Sequence, residues 1–127
     1  MSAKSYLFYH FVITTKYRRP LLQNPRARAQ VCRAASIVVQ HCEGAMLAFN
    51  YGPDYAHIHM LIILPPTIPP AWFARDFKSC AARLANETLH RVGLPFWGRG
   101  YYVKTVGAGS LETARRYVVE QWGKEKK

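Results

Sequence analysis

The chain has 127 residues, half of them hydrophobic, and a formal net charge of +11 from 18 Lys and Arg against 7 Asp and Glu. That is long enough for one domain spanning residues 1–127 but not for two, and too apolar for a disordered chain; its charge points to a polyanion, nucleic acid first and an anionic membrane surface second. No apolar run reaches the roughly 20 residues of a membrane span, the N-terminus has no signal-peptide pattern, and Cys32, Cys42 and Cys80 lack C-x-x-C spacing, so a reduced, cytoplasmic protein with no membrane partner is expected.

Residues 5–15 alternate two largely apolar sets. Tyr6, Phe8, His10, Val12 and Thr14 share one face, Leu7, Tyr9, Phe11 and Ile13 the other, which predicts a central strand. Lys16-Tyr17-Arg18-Arg19-Pro20 follows, an aromatic among three cations; it suits phosphate contact with base stacking, or is an ordinary charged loop. Asn24-Pro25 predicts a helix start, with Val31, Ala35, Val38 and Cys42 at helical spacing and Gly44 as the stop. Ala45 to Tyr51 reads as a second strand, Gly52-Pro53-Asp54 as a turn and residues 55–64 as a third strand paired back in a hairpin. Strand alternation puts His57 and His59 on one face, where they either hold a metal ion or are two partly buried, hydrogen-bonded histidines.

Pro65 to Pro70 is a rigid connection. Trp72 or Phe73, then Phe77, Cys80 and Leu84, predict the apolar face of a second helix, with Arg75, Lys78 and Arg83 off that face. After a loop over 93–100 come a fourth strand at 101–106, Gly107-Ala108-Gly109, and a last helix capped by Ser110 with Glu112 in its first turn. Leu111, Ala114, Val118 and Trp122 form its buried stripe; Tyr117 and Gln121, four apart, lie on the flank. Tyr117 is there either a boundary residue with a wet hydroxyl or a group reaching the edge of a cleft. The order is the ferredoxin-like β-α-β-β-α-β pattern of an α+β fold: an antiparallel sheet, helices on one face, the other face open to a ligand, and an additional C-terminal helix.

At this point the residues resemble a family, the single-tyrosine HUH transposases, the TnpA proteins of small bacterial and archaeal insertion sequences. The resemblance rests on the run Tyr9 to Pro20, Pro53-Asp54 before His57-Ile58-His59, Phe77-Lys78-Ser79 with Ala82-Arg83, Trp97 with Gly100-Tyr101, Thr105-Val106-Gly107, and Tyr117 with Gln121 four residues on. It implies a DNA transposase that cleaves and rejoins single-stranded DNA through a 5′-phosphotyrosine on Tyr117. It further implies a divalent metal, Mg²⁺ or Mn²⁺, held by His57, His59 and Gln121. Subterminal DNA hairpins are the implied partners, with a homodimer whose active sites are shared between subunits. Lys16, Tyr17, Arg18, Arg19, Lys78 and Arg83 are the candidate DNA contacts. In many members the Asp directly precedes the first His; here Tyr55-Ala56 intervene, and the role of Asp54 stays open. A palindrome-processing relative, a metal hydrolase and a non-catalytic nucleic-acid-binding domain are the alternative readings.

Overall fold

The computed structural model describes residues 5–125, and side chains of residues 5–120. Its centre is β1 (Leu7–Thr14), flanked in a four-stranded antiparallel sheet by β3 (His57–Leu64) and β4 (Tyr102–Val106), with β2 (Ala45–Tyr51) outside β3. Two helices, α1 (Pro25–His41) and α2 (Pro70–Leu89), complete the expected ferredoxin-like order. Tyr9, Phe11 and Ile13 of β1 and Ile58, Met60, Ile62 and Leu64 of β3 are buried in one core with Val31, Val38, Phe73 and Phe77 of the helices.

The ends of α1 show how local chemistry sets the frame. The Asn24 side-chain oxygen accepts from the backbone N–H of Arg26 at 2.8 Å and of Ala27 at 3.1 Å, satisfying two donors that the first turn leaves over. The expected stop at Gly44 is reached differently. Glu43 takes the left-handed turn, with φ 60, and the N–H groups of Glu43 and Gly44 close back on the carbonyls of Gln40 and Val39. Gly44 is needed for space, because a Cβ there would lie 2.1 Å from the Ile63 carbonyl oxygen.

In α2 the buried stripe is Phe73, Phe77, Ala81 and Ala85, one residue round from the expected Cys80 and Leu84, which are half-buried, while Trp72 is exposed. The helices bury Ala27, Ala34 and Ala35 of α1 as well, and small residues on both let the two axes approach while both lie on the sheet.

The opposite face of the sheet is partly covered by α3 (Leu111–Glu125), entered through a single 3₁₀ turn, Ala108–Ser110. Val118 is fully buried against Ala48 and Leu61, with Val106, Leu111 and Ala114 around them; the Trp122 side chain of the expected stripe lies outside the described residues. A bulge makes this seat. Met46 pairs with Ile62 on the core side, but pairing then skips Leu47, so Ala48 meets Leu61 and Asn50 meets His59 on the α3 side. All three cysteines are free, and no helix among the described residues is long and apolar enough to cross a membrane.

Candidate active site

The pairing register lays the α3 face of the sheet out in rows. His57 stands opposite Thr14; His59, Val12 and Tyr102 form the next row across β3, β1 and β4; Leu61, His10 and Lys104 form the one after. The rings of His57 and His59 lie together, centroids 5.1 Å apart, as strand alternation requires. His10 joins them: its Nε2 is 3.1 Å from Nδ1 of His59, one imidazole donating and the other accepting. Tyr117 meets both rings edge-on, with centroids 5.7 Å from His10 and 6.0 Å from His59. Burial, then the neighbouring His57 and His10, push the His59 pKa down to about 4, so the ring is neutral at pH 7. Burial and the ammonium of Lys104 lower His10 in the same direction.

The two residues between Asp54 and His57 give Asp54 its position. Tyr55 adopts φ 57 and turns the chain, and the Asp54 carboxylate accepts from the Ala56 N–H at 2.9 Å and from His57 Nδ1 at 2.9 Å. Its other oxygen accepts from Arg18 at 2.6 Å. Burial opposes the charge on Asp54, but the Ala56 N–H, His57 and Arg18 outweigh it and hold the carboxyl below its ordinary value. The His57 ring lies on the backbone of Gly52, where a Cβ would sit 2.0 Å from its Cε1.

The basic loop begins where β1 ends, beside the His57 row. Tyr17 and Arg18 take left-handed φ values of 57 and 52, and Tyr17 is 76% exposed. The Lys16 ammonium and Arg19 guanidinium each lie 5.2 Å from its ring centroid. The loop is pinned by the buried Thr15 hydroxyl, which donates to the Arg19 carbonyl at 2.7 Å, and by the Lys16 N–H, which donates to Phe96. The other two predicted DNA contacts stand elsewhere. Lys78 donates to the carbonyls of Gly98 at 2.9 Å and Gly100 at 3.0 Å, and Trp97 donates to the Lys78 carbonyl, so Lys78 braces that loop; burial lowers its pKa. Arg83 lies on α2 beside a cavity lined by Val92 and Leu94, apart from Tyr117. Gln121 lies one helical turn beyond Tyr117, with its side chain outside the described residues.

Among the described residues no three His, Cys, Asp or Glu side chains converge as a metal-binding group. The donor set at hand is the two imidazoles. In both rings the partner described above meets Nδ1, so a cation would be met by Nε2; the Asp54 carboxylate fixes the His57 tautomer that this needs, as carboxylates do behind metal-bound histidines, and His10 does the same for His59 in the tautomer in which it accepts.

Sequence reasoning passed over two residues. His10 was visible only as a polar member of an apolar face; its partner depends on the β1–β3 register. Asn50 donates to the carbonyls of Val118 at 3.2 Å and Val119 at 2.9 Å, tying β2 to α3 directly after Tyr117. Strict alternation would have turned Asn50 to the other face, and only the bulge at Leu47 reverses that.

The family model of IS200-like transposases matches residues 3–121. The chain belongs to the IS200-like transposase family. It is 30% identical, over 124 residues covering 93% of this chain and 78% of the relative, to the transposase for insertion sequence element IS200 of Salmonella typhimurium, and equally to that of Salmonella typhi. The fold of this transposase is shared with a Deinococcus radiodurans protein assigned as a transposase, at TM-score 0.69 and 20% identity over 96% of this chain and 95% of that one. It is shared also with a REP-associated tyrosine transposase bound to a REP hairpin, at TM-score 0.69 and 15% identity over 95% and 69%.

Proposed function

We propose that this transposase cuts and rejoins single-stranded DNA with Tyr117 as nucleophile. The observation that carries the proposal is the meeting of Tyr117, His59 and His10 on one sheet face, with His57 beside them. The Tyr117 oxygen attacks a backbone phosphorus and loses its proton as the new O–P bond forms. The P–O3′ bond breaks, and the released 3′-oxygen takes up a proton. A 5′-phosphotyrosine and a free 3′-hydroxyl result. A second 3′-hydroxyl attacks the phosphotyrosine, restores Tyr117 and joins new strands, so the bond energy is conserved and no nucleotide cofactor is consumed.

His57 and His59, with Gln121, would hold a divalent ion, Mg²⁺ or Mn²⁺; bound there it would polarise the phosphate and offset the charge that builds on its oxygens. The chain's own part is orientation: Arg18 holds Asp54, Asp54 holds His57, and His10 holds His59. The Lys16–Arg19 loop supplies phosphate contacts and the exposed Tyr17 ring a stacking surface. Hairpin DNA near the element ends is the partner this reading expects, and the cytoplasm the place where it is met. A second copy completes a homodimer. In the single chain Tyr117 already lies by its own His10 and His59, and exchange of α3 through Gly107–Gly109 would give shared sites. Mixed dimers of His59→Ala and Tyr117→Phe chains separate the two arrangements, since only exchanged helices restore one working site.

The test is a denaturing gel of the protein with Mg²⁺ or Mn²⁺ and labelled single-stranded DNA from the ends of its own genetic element. A protease-sensitive protein–DNA adduct is expected for the wild type and none for Tyr117→Phe. Cleavage without an adduct, unchanged in Tyr117→Phe, would replace this reading with a metal hydrolase.

A further inference from the structure

Between β4 and α3 lies a groove of about 550 Å³ that opens onto Tyr117, His59 and His10 and that the chemistry above does not use. This volume is in the range of ligand sites. Its floor is His59, Val12 and Tyr102 of one sheet row and His10 and Lys104 of the next. Two strand spacings, roughly 10 Å, separate the histidine from the Tyr102 and Lys104 strand. Tyr102 is 55% exposed although it sits on the sheet face beside the site. Lys104 is exposed, and among the described residues no carboxylate pairs with it. The rest of the lining is small or apolar, with Val106 and Ala114 on the wall and the hydroxyl residues Ser110 and Thr113 at the rim. An exposed aromatic ring and an exposed cation, both lining the groove with Tyr117, match a base and a phosphate.

We infer that this groove seats the nucleotide flanking the phosphate that Tyr117 attacks, with Tyr102 against its base and Lys104 at its next phosphate. The inference rests on the strand-cleavage reading for its place along the DNA. The substrate strand then runs from the Tyr17 loop, past His57 and His59, into the β4–α3 groove, and both sides of the scissile bond are gripped. A strand held on both sides keeps its phosphorus in line with the Tyr117 oxygen.

The experiment measures equilibrium binding of single-stranded DNA from the element ends to Tyr117→Phe protein, which separates binding from cleavage. Adding Tyr102→Ala is expected to weaken binding about 5- to 150-fold, the range of one lost base stack, and Tyr102→Phe to bind as the parent does. Removing one base next to the cleavage position should abolish the difference between the parent and the Tyr102→Ala variant, whereas removing distant bases should not. Lys104→Ala should weaken binding and lower the salt slope by about 0.7, with Lys104→Arg restoring both. Parental affinity in both alanine variants overturns the assignment, as does a Tyr102→Phe loss equal to that of alanine, or a Tyr102→Ala loss identical on every abasic substrate. A wild-type protein that forms no Tyr117 adduct, while the groove variants still lose binding to one base, would sink the cleavage reading and leave the groove standing.

Discussion

At Gly52 a single methyl group decides where His57 can stand. The ring occupies the volume that a Cβ would take, so Gly52→Ala must push the imidazole off Asp54 or off the sheet face. Loss of an orienting contact behind a ligating histidine typically costs about 10- to 100-fold in metal affinity or activity. A fall of about that size in adduct formation is expected for Gly52→Ala, with the far-UV circular dichroism unchanged; wild-type rates would show that His57 needs no such support. His59 carries a separate, pH-dependent expectation. Its pKa falls to about 4 in the fold from an ordinary 6.5, so between those values the unfolded chain binds more protons, and stability must drop as pH falls from 6.5 towards 4 and level off below. The full effect is on the order of 3 kcal/mol. Urea midpoints of metal-free protein at about pH 7 and about pH 4.5, on either side of most of that window, measured beside His59→Gln, test it: the variant should lose much of the dependence. The histidine pair was legible because a strand has period two. The role of Asp54 was not, because a left-handed Tyr55 lets the chain fold back across two extra residues, and spacing alone does not show such a turn.

At the scale of elements, α3 is the piece whose position matters most and whose attachment is slightest. It rests on Val118 in a small apolar seat, follows an open Gly107–Gly109 segment, and is tied by the Asn50 amide to two of its carbonyls. Asn50→Ala removes both hydrogen bonds and is expected to cost about 1–2 kcal/mol. The loss should appear as faster amide hydrogen exchange across residues 111–120 with β1 and β3 unaffected, and as slower adduct formation. Equal exchange in variant and wild type would show that the apolar seat alone holds the helix. The strands, α1 and the Leu111, Ala114 and Val118 part of the α3 stripe could be read from the sequence, since caps, periodicity and β-branched runs all act locally. The Leu47 bulge could not, and with it went Asn50: one extra residue in a strand changes every later side chain's face without altering composition. Phe73 and Phe77 of the α2 stripe lie buried as expected, but its second half is displaced by one residue, to Ala81 and Ala85, because helix-on-helix packing selects small side chains that hydrophobicity ranks below Cys80 and Leu84.

For the whole molecule, charge of +11 spread over two layers poses the question of which cations serve DNA. The sheet face holds the Tyr17 loop and Lys104, while Lys78 is engaged with loop carbonyls and Arg83 lies with the helices. Binding to single-stranded DNA should therefore fall steeply with salt, and Lys16→Ala and Arg19→Ala should each reduce the slope by about 0.7. Tyr17→Ala should weaken binding about 5- to 150-fold with the slope unchanged, because stacking releases no counterion. Arg83→Ala should leave the slope as it was; a reduced slope there would move the DNA path onto the helical layer.

Tyr17 and Arg18 hold the left-handed conformation that glycine adopts without steric cost, and neither is glycine. Selection for thermal stability alone would favour Tyr17→Gly or Arg18→Gly, each gaining up to about 1 kcal/mol from relieved strain. A library screened first for melting temperature should enrich glycine at both positions, and one screened for transposition should purge it. The loop would then mark a trade between robustness and activity, a place where the protein carries less stability than its backbone permits.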